Sequence, residues 1–420
     1  MGKWDPVVSI DIGNDSIKGV VVNYSNEGKE VVAYSNLKSK GIESGDIKDV
    51  VALNDAMNQI IENLEEQVGK TLKGDFLVSS SVGNFKLQEI REELLLTEGD
   101  NLVTVNEKHV DEIKELVLNT ALGENNYVYH SYIKKYILDE NKIVFNPVDM
   151  SARKLEAVYS IIMGDSIHRS IVDYATRETL GEADYYISPI SAAEAVLTSF
   201  EKDSGVMHVD LGFYSTVVTI FLNNAPIRFV RLPKSMKYVV LDIAKILKTS
   251  IYEAERLLKI YGIAIFQNIE PSIIEYKALD GRTTLETNRE LLARIIYARL
   301  REIFLNVRKI YRDATIDYKE FRDLGIPGGI VLTGGGAKIP RITDVAADVM
   351  KCSVRVGSFI NTEEFIIEEN EQILSDPQFA AAFGNILQFE KEEGIDTLNK
   401  PRNKSSSAFS EFLRKLFKGE

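Results

Sequence analysis

The sequence has very few of the residues that form disulfides and zinc sites, and it has no long apolar run of the kind that spans a membrane. It contains a single cysteine, Cys352, which excludes an internal disulfide and a cysteine-rich metal site. The four histidines show neither the HxxxH nor the HExxH spacing of zinc enzymes. No run of 18 apolar residues is present, so the sequence predicts no membrane-spanning helix.

The chain also lacks an excess of positive charge, with 50 Lys and Arg against 63 Asp and Glu. The formal net charge of −13 argues against a nucleic-acid partner, because phosphate contacts need a basic face. With 420 residues, 45% hydrophobic and 27% charged, the chain resembles an ordinary globular protein of about two to four domains. The N-terminal MGKWDPVVSIDIG lacks the apolar segment of a signal peptide, and Pro6 stands where a myristoylation signal has Ser or Thr.

Two distant segments repeat one pattern, VSIDIGNDSIKG at 8–19 and VMHVDLGFYSTV at 206–217. In each, an apolar strand leads into Asp, one apolar residue, Gly and a polar turn. The repeated residues are Asp11, Gly13 and Ser16, then Asp210, Gly212 and Ser215. One copy alone is equally explained by an ordinary β-hairpin. The pair predicts a two-lobed phosphate-binding ATPase, in which each lobe offers backbone N–H groups to phosphate and a carboxylate to the waters of Mg²⁺.

A third glycine-rich turn, Gly334, Gly335 and Gly336, follows the apolar strand predicted at 329–333 and precedes a helix start. Without projecting side chains, such a turn lets a base and ribose lie flat on it. It is not a Rossmann fingerprint, since Ile339 stands where the last glycine is needed. The sequence therefore predicts three loops around one nucleotide.

Hydrophobic periodicity and turn signals predict the remaining elements. Helices are expected at 53–72, 106–121, 165–180, 253–261, 288–313 and 376–387, and strands at 7–12, 17–24, 76–82, 127–137, 155–163 and 206–211.

The order of these motifs resembles that in the superfamily of actin-like, heat-shock-chaperone and sugar-kinase ATPases. Their amino-acid sequences resemble those of the bacterial FtsA family. The matching segments are VSIDIGNDSIKG, GIESGDIKD (41–49), IVFNPVDM (143–150), SAAEAVL (191–197), VDLG (209–212), VRLPKSMKYV (230–239), YEAERLLKIYG (252–262), ARLREIF (298–304), LTGGGAKIPRI (332–342) and FAAAFGN (379–385). The resemblance implies an α/β, two-lobed actin-like ATPase fold with duplicated ribonuclease-H-like cores, an inserted FtsA-type subdomain called 1C, and a C-terminal amphipathic helix.

The resemblance also implies domain boundaries. The first lobe core, 1A, is expected at 1–84 and 165–190, the inserted subdomain 1C at 85–164, the second lobe core, 2A, at 191–236 and 319–377, and its outer subdomain, 2B, at 237–318. Residues 378–389 are expected to return to 1A, with a flexible linker at 390–407 and a membrane-targeting helix at 408–420.

The implied cofactors are ATP and Mg²⁺, and the resemblance assigns their contacts. The assigned residues are Asp11, Gly13, Asn14, Ser16 and Lys18 in the first loop, Asp210, Gly212, Phe213, Tyr214, Ser215 and Thr216 in the second, and Glu255, Gly334, Gly335, Gly336 and Lys338 around the adenosine. Asp11 and Asp210 would hold Mg²⁺ through water. Relatives often carry lysine three positions after the glutamate, where this chain has Leu258, followed by Lys259.

Glu194 lies in the region where actin-like ATPases place the residue that orients the attacking water. A solvated helix glutamate is the alternative interpretation. Because family members often hydrolyse ATP poorly, the resemblance implies an ATP binder with at most slow ATPase activity.

The C-terminal sequence AFSEFLRKLFKGE, at 408–420, predicts an amphipathic helix. Its apolar stripe contains Phe409, Phe412, Leu413, Leu416 and Phe417, and its polar face contains Arg414, Lys415 and Lys418. A basic amphipathic tail on an acidic body suits an anionic lipid surface. The alternative is a helix docked on the core of the protein itself. One tail should bind weakly, so a filament carrying many tails would bind by avidity.

The resemblance places a peptide site for FtsZ, the tubulin-like division protein, on subdomain 2B. The helix predicted over 288–313 carries Arg289, Arg294, Arg299 and Arg301, and the resemblance favours Arg299. An arginine cluster suits an acidic peptide, although a solvated basic face with pairs such as Glu290–Arg294 is the alternative. Further implied partners are other copies of the chain in protofilaments, anionic lipid and later division proteins, at the cytoplasmic face of the inner membrane.

Two other functions fit the same fold. One is that of the type IV pilus adaptor PilM, and the other is that of a small-molecule kinase, which would need a cleft for a polar substrate. The basic amphipathic tail favours the division adaptor.

Overall fold

The computed structural model describes residues 6–393, except 26–27, 100, 124, 361, 363–364 and 368–370. The tail predicted to bind membrane, with all eight of its assigned residues, lies outside this part of the chain. Within it, no helix is long and apolar enough to cross a bilayer.

The chain begins with a three-stranded meander followed by a helix and a parallel strand. These elements are β1 (Pro6–Ile12), β2 (Ser16–Ser25), β3 (Gly28–Lys38), β4 (Ile42–Glu43), β5 (Asp46–Ile47), α1 (Val50–Val68) and β6 (Asp75–Ser80). Helix α1 is capped by Asp49, whose carboxylate accepts the Ala52 N–H at 3.0 Å. It ends before the predicted residue 72 because Gly69 takes a left-handed C-cap with φ 73°.

The next unit has its own sheet and core. It contains β7 (Phe85–Leu95), β8 (Val103–Thr104), α2 (Glu107–Leu122), β9 (Asn126–Leu138), β10 (Lys142–Val144), β11 (Ser151–Ala152) and β12 (Lys154–Asp165). The antiparallel sheet has the order β10-β9-β12-β7, and α2 buries Ile113 and Val117 against it. Residues 89–93, EIREE, lie on edge strand β7, where charged side chains discourage pairing with other chains.

A short connecting region leads into the second half of the molecule. It contains α3 (Ser166–Leu180), β13 (Ala183–Ile187), α4 (Ser188–Val196) and α5 (Ser199–Ser204). Most of the apolar segment 190–198 lies in α4. This helix begins at Ser188 and has Pro189 in its first turn.

The second half repeats the meander and adds a helical outer unit. It contains β14 (Val206–Leu211), β15 (Thr216–Leu222), β16 (Ala225–Leu232), α6 (Met236–Leu247), α7 (Ile251–Tyr261), β17 (Ile273–Lys277), β18 (Thr284–Asn288), α8 (Arg289–Asp317), α9 (Lys319–Leu324), β19 (Ile330–Thr333), α10 (Ile342–Met350), β20 (Val354–Val356), β21 (Phe365–Ile366) and α11 (Ala380–Glu393). Among the described residues, 3₁₀ turns span Gly335–Lys338 and Glu371–Ser375.

The two main sheets share one topology. In the first, β2 joins β1 and β3 in antiparallel pairs, and β6 and β13 continue from β1 in parallel. In the second, β15 joins β14 and β16 in antiparallel pairs, and β19 and β20 continue from β14 in parallel. The duplicated α/β core expected from the repeated motif is thereby confirmed. We call the half built on β14 the second lobe and the half built on β1 the first lobe, which also contains β21, paired with β3, and α11, packed on the first sheet.

Helices α4 and α11 cross closely beside the first sheet. A Cβ atom on Gly384 would lie 1.7 Å from the Ser191 carbonyl oxygen, so the crossing requires glycine. Helix α11 continues to Glu393, so the linker start predicted at residue 390 is wrong. Glu390 is buried and pairs with Lys29 at 2.8 Å, which extends the helix beyond the sequence motif.

Candidate functional site

A cleft of about 450 Å³ lies between the lobes, where the motif loops converge. Asp11 and Asp210, each one residue before the end of its strand, line the cleft, as expected where the carboxyl ends of strands face a shared crevice. The lining residues are Asp11, Gly13, Asn14, Asp15, Ser16, Lys18, Ser81, Ser188, Ala192, Asp210, Gly212, Phe213, Ser215, Met236, Val240, Glu255, Leu258, Lys259, Gly334, Gly335, Gly336, Lys338, Ile339, Pro340, Pro377, Gln378 and Ala381.

The two hairpin loops have the same local geometry. The Gly13 N–H donates to the Ser16 carbonyl at 3.1 Å, and the Gly212 N–H donates to the Ser215 carbonyl at 3.1 Å. A Cβ on Gly13 would lie 2.7 Å from the Ser16 carbonyl oxygen, and one on Gly212 would lie 2.9 Å from that of Ser215. Both turns are therefore too tight for a side chain, which leaves the backbone open to a ligand.

The two motif carboxylates are held in matching ways. Asp11 lies in register with Ser79 on β6, whose hydroxyl donates to Asp11 Oδ1 at 3.3 Å. Asp210 lies in register with Thr333 on β19, whose hydroxyl donates to Asp210 Oδ1 at 3.2 Å. Ser188 adds a second hydroxyl to Asp11 Oδ1 at 2.6 Å. These bonds fix each carboxylate at the floor of the cleft.

Charge compensation differs between the two carboxylates. Lys18 Nζ lies 3.2 Å from Asp11 Oδ2, whereas the equivalent position beside Asp210 is Val217. Burial, together with the charge of Asp11, raises the pKa of Asp210 to about 6. The second carboxylate is therefore destabilised in its ionised form, a condition that a bound cation relieves.

These residues fit Mg²⁺ held through water and phosphate better than a site made by protein alone. In the described part of the chain, no group of three or more His, Cys, Asp or Glu side chains is arranged to hold a metal. Mg²⁺ normally keeps several waters and takes phosphate oxygens beside one or two carboxylates, which Asp11 and Asp210 supply. In the first loop, Asn14 Nδ2 donates to Ser81 at 3.3 Å, and its buried Oδ1 has no partner, as expected of a group that awaits a ligand or water.

The third glycine turn, Gly334–Gly336, forms another wall of the cleft. Gly334 has φ 80°, and a Cβ there would lie 2.6 Å from Asp210 Oδ1. A Cβ on Gly336 would lie 2.8 Å from Leu211 and Met236 side-chain atoms. Apolar side chains surround this end of the cleft, namely Met236, Val240, Leu258, Ile339 and Pro340. A flat apolar ring fits such a surface.

Most nucleotide contacts predicted from sequence line this one cleft. Tyr214 and Thr216 do not: Thr216 is fully buried in β15, and the Tyr214 ring lies 4.6 Å from Lys237 Nζ. Leu258 and Lys259 both line the cleft beside Glu255, so a lysine is present there although shifted by one residue.

The structure does not place Glu194 where a water-orienting residue is needed. Ser188 and Ala192 form the cleft face of α4, and helical periodicity puts Glu194 on the opposite side. Its carboxylate is buried between Lys202 and Lys391, at 2.8 and 2.6 Å. Burial alone would raise its pKa, but the two ammonium groups hold the pKa at about 2. Glu194 is therefore a buried carboxylate paired with two lysines and not a solvated helix glutamate, and its catalytic role stays a prediction.

The predicted arginine cluster is split between two faces of α8. Arg299 turns toward α6 and makes two bonds to Asp242, at 2.7 and 3.0 Å. Arg294 and Arg301, seven residues apart, share another face, where Arg294 pairs with Glu290 at 2.6 Å. The Glu290–Arg294 pair is present, and Arg299 does not share a face with Arg294 and Arg301. The peptide site itself stays a prediction.

Several residues of the site had no sequence motif by which they could be predicted. Ser79 and Thr333 end neighbouring parallel strands, and only the strand pairing shows that their hydroxyls reach the motif carboxylates. Pro377 and Gln378 enter the cleft from a segment far along the chain, beside Gly334 and Gly335.

Comparisons with known proteins agree with this architecture. The family model described as "Cell division protein FtsA" matches residues 207–384, and the one described as "SHS2 domain inserted in FTSA" matches residues 86–163. Together they cover more than half of the chain. The chain belongs to the FtsA family. The second match falls within β7 to β12, so the separate sheet is the inserted domain of that family.

FtsA relatives match over most of their length. The chain is 26% identical to cell division protein FtsA of Borreliella burgdorferi, covering 98% of this chain and 99% of that protein. It is 26% identical to the FtsA of Bacillus subtilis, covering 91% and 82%, and 25% identical to that of Pseudomonas aeruginosa, covering 84% and 82%.

Solved structures share the fold at lower identity. A PilM–PilN type IV pilus biogenesis complex matches with a TM-score of 0.62 at 16% identity, covering 91% of this chain and 98% of that one. MreB5 of Spiroplasma citri bound to AMPPNP gives 0.53 at 14% identity, covering 93% and 97%. A MamK double helical filament gives 0.52 at 9% identity, covering 92% and 99%. These likenesses establish the actin-like fold of this FtsA-family chain.

Proposed function

We propose that this chain binds ATP with Mg²⁺, polymerises on the inner face of the cytoplasmic membrane and tethers FtsZ there during assembly of the division ring. The observation that carries the proposal is the pair of identical glycine turns with matched carboxylates, facing each other across one cleft. The proposed role in cell division rests on family membership, and the proposed ligand rests on the residues that line the cleft.

The nucleotide occupies the cleft with its phosphates between the two hairpin loops. Lys18 supplies positive charge to the phosphates, and Asp11 and Asp210 hold Mg²⁺ through water. The base and ribose lie against the third glycine turn and Glu255. Mg²⁺ would neutralise phosphate charge, and membership of a family that often hydrolyses ATP poorly suggests at most slow ATPase activity. Solved neighbours support this assignment, because MreB5 carries ADP in one structure and AMPPNP in another.

Self-association is the second part of the proposal. The MamK neighbour forms a double helical filament with the same fold. Polymerisation gives each membrane patch many copies of the tail, and linked weak contacts bind far more tightly than single ones.

The tail at 408–420 is the proposed anchor. A sedimentation assay with phosphatidylglycerol-containing vesicles and ATP should pellet the intact chain and leave a chain ending at residue 404 in solution. Phosphatidylcholine vesicles give the charge control, and Leu413→Asp in the intact chain removes apolar contact without shortening the tail. If intact and shortened chains stay equally soluble with anionic vesicles, the membrane part of the proposal fails.

The peptide site is placed on the outer unit that contains α6 and α8. Arg299 is the proposed peptide ligand, because a carboxylate on the peptide can replace Asp242 in its two-bond interaction. A fluorescence titration with the FtsZ C-terminal peptide separates this function from that of a pilus adaptor. If that peptide is inert and a pilus-assembly peptide binds, the PilM alternative replaces this proposal.

A further inference from the structure

Arg231 of the second lobe bonds directly to the backbone of the first. It lies on β16, and its Nη2 donates to the Ser81 carbonyl at 2.9 Å while its Nη1 donates to the Gly83 carbonyl. The guanidinium is partly buried, and burial lowers its pKa. Its two bonds therefore stabilise a desolvated cation and join the lobes at the same time.

The segment that Arg231 holds is the neck of the inserted domain. Residues 81–84 leave β6 and continue directly into β7, while β12 returns to α3 at the same place. His168 of α3 packs on this segment so closely that a Cβ on Gly83, which has φ 107°, would lie 2.5 Å from the ring. The Gly83 N–H also donates to the Gly45 carbonyl at 3.3 Å. Entry and exit of the inserted domain are thus packed together where Arg231 binds.

The same segment forms part of the cleft. Ser81 lines it, accepts the Asn14 amide at 3.3 Å, and donates its backbone N–H to the Ile12 carbonyl at 3.3 Å. The first phosphate loop therefore holds the neck from one side, and Arg231 holds it from the other.

Strand register connects Arg231 to the second loop. Arg231 lies opposite Val217, and Val217 lies opposite Asp210, so all three project from one face of the sheet. Movement of the second sheet toward or away from the first must carry Asp210 and Arg231 together. Such a movement would also act on the neck through the bonds from Arg231.

We propose that Arg231 is a positioning residue that couples closure of the cleft on its ligand to the orientation of the inserted domain. The inference rests on the proposed nucleotide binding. A nucleotide that draws the two loops together keeps the guanidinium bonded to the neck, and loss of the nucleotide lets the lobes part and frees it.

Three variants separate this coupling from simple packing. Arg231→Gln removes the charge and most of the donors, and Arg231→Lys keeps the charge but not the forked geometry. Arg228→Gln is the control, because Arg228 lies on the same strand but pairs with Asp317 on α8. Hydrogen–deuterium exchange of the peptide spanning 81–90, with and without ATP and Mg²⁺, is the main readout. The affinity for a fluorescent ATP analogue is the second.

In the unaltered chain and in Arg228→Gln, ATP should protect both phosphate loops and the neck. In Arg231→Gln, the loops should still be protected while protection of the neck is lost, and the dissociation constant should rise about tenfold. Arg231→Lys should show the same loss of neck protection, and it carries the test if the glutamine variant does not fold. If ATP protects the neck of both Arg231 variants as strongly as it protects the neck of the unaltered chain, the inference is overturned. Absence of ATP protection at the loops of the unaltered chain would instead overturn the proposed function.

Discussion

Asp11 and Asp210 occupy equivalent positions in the two lobes. Each is the last residue but one of the first strand in its sheet, and each accepts a hydroxyl hydrogen bond from the neighbouring parallel strand. They differ in their own hairpins, where Lys18 lies opposite Asp11 and Val217 lies opposite Asp210. The duplicated fold thus presents two similar carboxylates, of which the second lacks the lysine beside the first.

This asymmetry predicts a pH dependence of stability. The pKa of Asp210 is about 6 in the folded chain and 3.8 in the reference state, so the folded chain binds more protons between those values. Its stability must then fall as pH rises from about 4 to about 6. Asp210→Asn cannot ionise, so its free energy of unfolding should exceed that of the unaltered chain increasingly over this range. Urea denaturation without nucleotide or Mg²⁺ measures the difference, and a difference independent of pH would contradict the assignment.

Glu194 should contribute to the stability of the fold and not to ATP binding in the cleft. Glu194→Gln leaves the buried Lys202 without its counter-charge, which should cost about 3 kcal/mol or more in the free energy of unfolding. ATP affinity and hydrolysis of the folded fraction should be unchanged. Lys391→Met is the milder control, because Lys202 still pairs with Glu194. A stable Glu194→Gln variant that had lost hydrolysis would restore a catalytic role.

The third glycine turn should tolerate a methyl group at one position and not at its neighbour. Gly334→Ala combines a left-handed φ of 80° with a contact of 2.6 Å to Asp210, so it should lose about 1–3 kcal/mol in the free energy of unfolding. In Gly335→Ala the nearest atom would lie 3.7 Å away, so little stability should be lost. Thermal denaturation of both variants measures this, and equal melting temperatures would contradict the described turn.

Arg299 should control affinity for the FtsZ peptide. Arg299→Glu should abolish binding in a fluorescence-anisotropy titration, because it replaces the proposed carboxylate ligand with a like charge. Asp242→Asn should leave binding intact or strengthen it, since it removes the carboxylate that competes for Arg299.

Arg308→Glu is the matched control for that titration, because it makes the same charge change at an exposed position of the same helix. Unchanged affinity in a folded Arg299→Glu variant would remove this side of α8 from the peptide site.

The sequence predicted the elements whose signals are local. Each of the three glycine turns is a short contiguous motif, and the three lie together in the cleft as expected. They are the Asp–x–Gly turns at Asp11 and Asp210 and the turn at Gly334. Helix periodicity likewise located α1 and α8 to within a few residues at most boundaries.

The remaining errors arise from tertiary contacts that no local pattern contains. Helix α11 runs past the predicted linker start because Glu390 finds a buried partner in Lys29, from the opposite end of the chain. Glu194 was predicted to line the cleft. The orientation of α4 about its axis instead directs this side chain toward Lys202 and Lys391. Four arginines of α8 suggested one cluster, but Arg299 faces another helix, where it pairs with Asp242.

The central claim is that one nucleotide is held by both loops, and a calorimetric titration of ATP with Mg²⁺ tests it most directly. The unaltered chain should bind one ATP per chain, and Lys18→Ala and Asp210→Asn, one from each loop, should each weaken binding by about tenfold or more. The matched control is Asp203→Asn, outside the cleft, which should bind as the unaltered chain does. Absence of binding, or affinity unchanged in both loop variants, would contradict the account.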